Sequence, residues 1–237
     1  MQFTFKEYEN LINLLRDNGY HIVQYSDCYN SEDRLVILRH DVDLSVEKAL
    51  SFAKLEHDLG VVSTYFILLS SFWYNIADEH TRKCIQTIVS YGHSIGLHFD
   101  ESKYLCDEQM EYNILRETDI MRNILDKEIP ISSVSMHVPS KKTLETDLKI
   151  EGMINSYGKE FFHNWKYISD SNMNWRENVY DIVTSGKYEK LHILTHPFWY
   201  EKDLEDKKTK VKRFLSMKYE VMLKEMEVVV PELRELI

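Results

Sequence analysis

Residues 35–43 have the sequence LVILRHDVD, and this stretch decides the fold. Its four aliphatic residues show no helical spacing, so they predict a strand that is buried on both faces. A guanidinium, an imidazole and two carboxylates follow, and ionised groups at the end of a buried strand are costly unless they are paired or bind a metal. Asp41 and Asp43 point the same way on an extended backbone and repel each other unless a cation or a shared proton separates them. The alternative for Asp43 is a cap of the helix that begins near Ser45.

Three further apolar segments also end in His or Asp, at residues 92–100, 135–139 and 191–197. His98 and Asp100 share one face of the first of these strands, and Gly96 allows a close backbone approach within it. Pro139 and Pro197 end the other two strands, because proline cannot donate to a ladder. A single His at a strand end is usually structural, but a series of such ends indicates one shared site.

Composition limits the classes of protein to which the chain can belong. Its 237 residues suit one α/β barrel or one large doubly wound domain, and 43% hydrophobic content is ample for a core. The net charge of -10 argues against a nucleic-acid backbone or an anionic membrane as the main partner. We find no signal-peptide pattern, no membrane span and no disulfide framework or zinc knuckle in Cys28, Cys84 and Cys106. These features predict a soluble, cytoplasmic protein.

Helical and strand patterns alternate along the chain. Strands are predicted at residues 35–38, 61–69, 94–99, 134–137, 154–157, 167–170 and 191–195. Helices are predicted at residues 3–18, 45–59, 76–91, 107–125, 142–151 and about 204–229. Seven short strands with intervening helices predict a parallel, barrel-like sheet in a single domain over residues 1–237, with the first and last helices packed outside. The carboxyl ends of such strands carry the site, and the four polar clusters fall at those ends.

The chain resembles the polysaccharide deacetylase (NodB-homology) superfamily, carbohydrate esterase family 4, over roughly residues 35–200. The resemblance rests on Arg-His-Asp-Val-Asp at 39–43, Gly-Leu-His at 96–98 and His-Pro-Phe-Trp at 196–199. It is greatest to a divergent cytoplasmic branch associated with bacterial surface-polysaccharide gene clusters. The resemblance implies a distorted (β/α)7 barrel that binds a divalent metal, with Zn²⁺ as the expected ion. The implied activity is N-deacetylation of a small amino-sugar derivative or carbohydrate precursor.

The resemblance also implies roles for individual residues. The first motif of the superfamily supplies a catalytic base and a metal ligand, which become Asp41 and Asp43, although the inserted Val42 leaves the two assignments interchangeable. His196 matches the general acid of the last motif. His98 matches the first of two metal-binding His residues, but Ser102 occupies the position of the second.

The missing metal ligand has two candidate replacements. His137 ends the next strand in sequence order, and sequential strands in a parallel barrel are neighbours, so we expect His137 to be the third ligand. Asp100 is the second choice and is otherwise expected to contact substrate. Arg39 can pair with Asp41 and hold the base, and a simple buried salt bridge is compatible with that role.

Asp170, Trp175 and Trp199 are expected to bind substrate, because the first two resemble the fourth motif and Trp199 follows the last one. Four other histidines are expected to be structural: His40 on the opposite face of its strand from Asp41, and His93, His163 and His192 on the outer face or in loops. Two functions stay open, a metal-dependent deacetylase and a catalytically impaired barrel that binds a sugar or a protein. The oligomeric state is not predicted.

Overall fold

The computed structural model describes residues 1–28, 34–104 and 109–232. The helices are α1 (Phe5–Asp17), α2 (Val46–Asp58), α3 (Glu79–Ser90), α4 (Met110–Leu125), α5 (Lys141–Glu145), α6 (Val179–Thr184) and α7 (Lys207–Val229). The strands are β1 (His21–Val23), β2 (Leu35–Val42), β3 (Thr64–Leu68), β4 (Ser94–Phe99), β5 (Ile131–Met136), β6 (Ile154–Asn155), β7 (Lys166–Ser169) and β8 (Lys190–Thr195). Among the described residues, no helix is long and apolar enough to cross a membrane.

All strands run parallel in one sheet, in the order β6-β5-β4-β3-β2-β8-β7. The short β1 pairs with the first half of β2. From Arg39 onward, the same edge of β2 pairs with β3 instead. The sheet curls, because side chains at both of its ends reach the same guanidinium: the Arg39 group lies over the rings of Tyr157, just after β6, and Tyr167 on β7. The predicted α/β barrel fold is confirmed, and the curled parallel sheet forms a half-barrel.

No pairing joins β6 to β7 within the described ranges, so the barrel is open along this line, which we call the seam. Side chains of β2 alternate between the two sides of the sheet. Leu35 and Ile37 pack inside the barrel with Phe66, whereas Val36 and Leu38 join the large core beneath the helices. The same alternation places Arg39, Asp41 and Asp43 on the inner side.

Several predicted bounds are wrong. The strand predicted at 35–38 continues to Val42, because the charged residues are paired inside the barrel and the backbone ladder is not interrupted. β1 and α6 were not predicted, since three and six residues are too short for a periodic pattern. The helix predicted at 142–151 is the five-residue α5. The predicted helix start at 107 lies outside the described residues, and α4 is described from Met110.

A buried polar cluster joins the sheet to α2 on its outer face. Glu56 accepts hydrogen bonds from four side chains: Tyr8 Oη at 2.5 Å, Ser63 Oγ at 2.6 Å, Tyr65 Oη at 2.7 Å and His40 Nε2 at 3.0 Å. The other nitrogen of His40 is 2.7 Å from Thr195 Oγ1 on β8. His40 and Thr195 directly precede Asp41 and His196, so the cluster ties together the strand ends that carry these two residues.

Gly96 lies where side chains of the two neighbouring strands occupy the space of a Cβ atom. A Cβ atom at this position would lie 2.4 Å from Phe66 Cε1 and 2.8 Å from Ser133 Oγ. We expect Gly96→Ala to lower the free energy of unfolding by about 1–3 kcal/mol, because the methyl group overpacks the barrel interior. Urea denaturation measures this loss, and Phe66→Leu in the same chain should recover part of it by making room. Unchanged stability of the single variant would contradict the close approach.

Candidate active site

Three side chains meet at the carboxyl ends of β2, β4 and β5. His98 Nε2 lies 3.1 Å from Asp43 Oδ1 and 3.1 Å from His137 Nδ1. The third side of this triangle, from His137 Nδ1 to Asp43 Oδ1, is 3.3 Å. Asp43, His98 and His137 thus form a possible metal site, in which each residue offers one ligand atom.

The local backbone structure fixes the position of Asp43, His98 and His137. Asp43 directly follows β2, and His98 lies within β4, where its Cα is in register with Ser135 on β5. His137 follows β5, and its backbone N–H donates to the carbonyl of Phe99 at 2.7 Å. The next residue, Val138, has a φ of 45°, which is strained for a β-branched side chain. The chain therefore turns sharply immediately after presenting His137.

The donor atoms fit a divalent ion. In a tetrahedral zinc site with ligands about 2.0–2.1 Å from the metal, neighbouring ligand atoms lie about 3.3 Å apart, close to the three distances observed. His98 Nδ1 donates to the carbonyl of Ser135 at 3.2 Å, which leaves Nε2 as the ring nitrogen that faces Asp43 and His137. A second hydrogen bond of this type is the usual way that proteins orient a metal-binding imidazole.

Charge within the triangle is shared between the carboxylate and the imidazoles. Burial opposes ionisation of Asp43, but hydrogen bonds from His137 and His98 hold the pKa of its carboxyl group well below the ordinary value. The hydrogen bond to Asp43 in turn raises the pKa of His137, against the effect of its burial. Asp43 is therefore an anion, and the rings of His98 and His137 both contact its Oδ1 atom.

Asp41 lies one layer deeper in the barrel. Ser135 Oγ donates to its two carboxylate oxygens at 3.2 and 3.3 Å, and Arg39 Nη2 is 3.6 Å from Oδ2. The Arg39 side chain is wholly buried and also donates to Ser156 Oγ. His98 Nε2 is 3.9 Å from Asp41 Oδ2, so Asp41 borders the triangle without being part of it. The structure thus brings Arg39 and Asp41 together as a buried pair.

His196, at the end of β8, faces the triangle from the opposite side. Its Nδ1 donates to Asp170 Oδ1 at 2.6 Å, and its Nε2 is 3.8 Å from Asp43 Oδ2. Tyr200 Oη also donates to Asp170, at 3.0 Å. Burial would lower the pKa of His196, but the hydrogen bond and charge of Asp170, with the charges of Asp43 and Asp41, raise it to about 9. His196 is therefore protonated at neutral pH.

This arrangement predicts the effect of removing the charge on Asp170. An Asp170→Asn substitution keeps an oxygen that can accept from Nδ1 but removes the negative charge. We expect the pKa of His196 to fall from about 9 toward its ordinary value of 6.5. NMR titration of the imidazole signals in metal-free protein measures this shift, with Asp100→Asn as the matched control. An unchanged midpoint would show that Asp170 is not the source of the raised pKa.

The three clusters open into one cavity of about 620 Å³. Asp41, Asp43, His98, His137 and His196 all line it. Four aromatic residues, from the two margins of the seam and the end of β8, also line it: Tyr157, Phe162, Tyr167 and Trp199. Arg176 and Glu177 also line the cavity, so one positive and one negative side chain belong to its wall.

Three residues expected to contact substrate do not line this cavity. Asp100 accepts from the backbone N–H and the hydroxyl of Ser102, and so caps the short turn at Glu101–Lys103. Trp175 packs against the main core, and Asp170 accepts a hydrogen bond from His196 Nδ1. Trp199 is the one member of this expected group that lines the wall.

The four histidines that were expected to be structural lie in three environments. His40 and His93 lie in the Glu56 cluster on the outer face, and His163 is exposed. The placement of His192 on the outer face or in a loop is wrong: it is in register with Ile37, points into the barrel and lies 2.6 Å from Tyr25 Oη. Burial, together with the charge of Arg39, lowers its pKa well below the ordinary value, so it is a neutral interior residue.

Sequence reasoning missed Ser135, Tyr157, Phe162 and Tyr167 as site residues. Ser135 occupies an inward position two residues before His137, so the alternation of β5 could have identified it. The three aromatic residues lie in or beside the short strands β6 and β7, where no pattern separates core from cavity wall.

No protein-family model matches the sequence, and neither does any curated protein. A solved family 4 carbohydrate esterase from Bacillus anthracis is similar at 13% identity and a TM-score of 0.44, over 88% of this chain and 85% of that one. A peptidoglycan deacetylase from Bdellovibrio bacteriovorus is 14% identical with a TM-score of 0.45, over 86% of this chain and 53% of its own. A family 4 pseudoenzyme from Bacillus anthracis is 11% identical with a TM-score of 0.44, over 78% and 62%.

Proposed function

We propose that the protein is a metal-dependent hydrolase that removes the acetyl group from a small N-acetylated amino sugar or carbohydrate precursor. One observation carries the proposal: the triangle of Asp43, His98 and His137 shares a single cavity with Asp41 and with His196. Hydrolysis of an acetamide needs an activated water, a polarised carbonyl and a proton for the departing amine. The cavity holds a group suited to each of these tasks.

Asp43, His98 and His137 would hold a divalent ion, with Zn²⁺ the expected one, which supplies Lewis acidity toward the acetyl carbonyl. Asp41 borders these ligands and is the proposed general base, which takes a proton from the attacking water. Its carboxylate is held by Arg39 and Ser135, so it keeps one orientation. Fixed orientation of this kind is how an enzyme lowers the entropic part of the barrier.

His196 is the proposed general acid. Its Nδ1 proton is committed to Asp170, so the Nε2 proton faces the cavity. Since its pKa is raised to about 9, this second proton is present at pH 7 and can pass to the amine nitrogen as the C–N bond breaks. Asp170 is a positioning residue in this scheme, because it sets the ring orientation without reaching the cavity.

The shape of the cavity supports a sugar as substrate. A volume of about 620 Å³ lies within the usual range for small-molecule sites. Aromatic rings such as those of Tyr167 and Trp199 can pack against the apolar face of a pyranose, whereas the hydroxyl groups meet polar atoms of the wall. A cytoplasmic location and a place in surface-polysaccharide biosynthesis belong to the same proposal, and the motif resemblance supports both.

Metal content and acetate release together test the proposal. We expect the purified protein to hold about one equivalent of a divalent ion, and Asp43→Asn, His98→Ala and His137→Ala each to lose it while the protein stays folded. His163→Ala, an exposed histidine, is the matched control. Acetate release from N-acetylglucosamine derivatives measures activity.

The outcomes distinguish the two functions that the sequence left open. Metal binding with acetate release supports the deacetylase. Sugar binding by calorimetry without any acetate release would instead indicate a catalytically impaired barrel. Full metal occupancy in the His137→Ala variant would remove His137 from the ligand set.

A further inference from the structure

The second half of α7 extends beyond the body of the protein. Lys210 and Phe214 are the buried residues of this helix, and Lys218 Nζ donates to the carbonyl of Trp73 at 2.7 Å. From residue 219 to residue 229 the side chains are exposed except for two of intermediate exposure, Leu223 and Glu227. Three turns of helix therefore gain little from packing against the rest of the described chain.

An apolar stripe runs along this projecting segment. Its members recur every three or four residues and so lie on one face of the helix. Their exposed fractions range from 48% to 80%, and they are Leu215, Tyr219, Met222, Met226 and Val229. A contiguous exposed apolar surface of this kind marks an interaction site more often than a solvated face.

The spacing of the stripe is symmetric about its centre. Leu215 and Val229 each lie seven residues from Met222, and Tyr219 and Met226 lie three and four residues from it. We propose that α7 packs antiparallel against α7 of a second copy of this chain, with Met222 at the two-fold axis. Leu215 of each copy then faces Val229 of the other, and Tyr219 faces Met226.

Charge supports the antiparallel direction. The first half of α7 is rich in Lys and Arg, and three of the four charged residues from Glu220 onward in the helix are Glu. An antiparallel pair places each basic half beside the acidic half of the other copy, whereas a parallel pair would align like charges. On one flank of the stripe Lys218 comes within one residue of the level of Glu225 of the second copy, and the two-fold axis makes this contact twice.

The buried residues of α7 and its hydrogen bond to Trp73 all lie within residues 207–218 of the helix. The contact of α7 with the protein body through Lys218 lies at the level of Met226 of the second copy. The two bodies thus lie beside different halves of the helix pair. The ammonium group of Lys218 has three donors, of which the Trp73 carbonyl takes one, so it can also meet a carboxylate.

The oligomeric state in solution tests this proposal. The interface is short, so we expect reversible dimerisation in the micromolar range, measured by sedimentation equilibrium from about 1 to 300 µM. Met222→Asp should raise the dissociation constant about thirtyfold or more, because it places two charges at the centre of the interface. Val221→Asp is the matched control, since Val221 is similarly exposed but points away from the stripe. A wild-type protein that is monomeric throughout this range would overturn the proposal.

Charge exchange and cross-linking test the direction. Glu225→Lys should weaken the dimer roughly 3- to 10-fold, and Lys218→Glu with Glu225→Lys should restore it. Under oxidation Met222→Cys should cross-link, measured against the wild-type background. Leu215→Cys should not, because antiparallel packing separates the two copies of residue 215 by about 21 Å. Efficient Leu215→Cys cross-linking would overturn the antiparallel arrangement, and equal loss of dimer in Val221→Asp would overturn the choice of face.

Discussion

An Asp41→Asn variant should lose about 10²- to 10⁴-fold in the rate of acetate release, because the proposed general base can no longer accept a proton. It should keep its metal, since Asp41 borders the Asp43–His98–His137 triangle and is not part of it. Steady-state kinetics and metal analysis on the same sample measure both quantities. The fall should appear in kcat, with little change in KM, because a general base acts mainly in the transition state.

The matching Asp43→Asn variant should also lose activity, but it should lose its metal as well. This pair of variants decides between the two interchangeable assignments of the first motif. Loss of metal from Asp41→Asn with retention in Asp43→Asn would reverse the roles. Thermal unfolding of both variants serves as the control, because Asp41 also balances the buried charge of Arg39.

A Glu56→Gln variant should lose about 3–5 kcal/mol of unfolding free energy at pH 7. Glu56 is wholly buried and accepts hydrogen bonds from Tyr8, Ser63, Tyr65 and His40, and an amide would turn two N–H donors toward groups that are themselves donors. Urea denaturation measures the loss. Glu79→Gln on the exposed start of α3 is the matched control, and it should cost less than about 0.5 kcal/mol.

This loss should depend on pH in a defined direction. Burial opposes ionisation of Glu56, but His40, His93 and Ser63 lower its pKa from an ordinary 4.5 to about 2. A carboxylate with a lowered pKa stabilises the fold above the ordinary value, and this contribution disappears as the pH falls from 4.5 toward 2. The difference in stability between wild type and Glu56→Gln should therefore narrow below pH 4.5. A constant difference would show that the Glu56 charge is not the source of the effect.

The alternation of side chains explains which parts of the site could be predicted. Asp41 and Asp43 are two apart, and the structure places both on the inner side of the sheet, as expected for one continuous strand. His98 and His137 fall on neighbouring strands, and their ring nitrogens are 3.1 Å apart. Period and chain order placed these residues at neighbouring strand ends, the motif resemblance supplied His98 as a ligand candidate, and the chemical roles stay predictions.

Other features depend on partners that no local pattern reveals. β2 runs through Arg39 and Asp41 because the guanidinium meets Ser156, which is 117 residues away in sequence. The inward orientation of His192 follows from its register with Ile37, and register is a property of the assembled sheet. Asp170 is similar: its sequence position suggested contact with substrate, whereas its hydrogen bonds go to His196 and Tyr200.

The seam between β6 and β7 distinguishes the residues proposed for chemistry from many of those proposed to bind substrate. The groups proposed for chemistry come from β2, β4, β5 and β8, which are joined to one another through the hydrogen-bonded strands of the sheet. Much of the wall proposed to recognise substrate comes from the segments beside the seam, where no ladder ties the two margins together. Insertions or substitutions there can reshape the cavity without shifting the reactive strand ends. In evolutionary terms, a lineage built on this scaffold can keep the proposed reaction and acquire a new substrate at the seam.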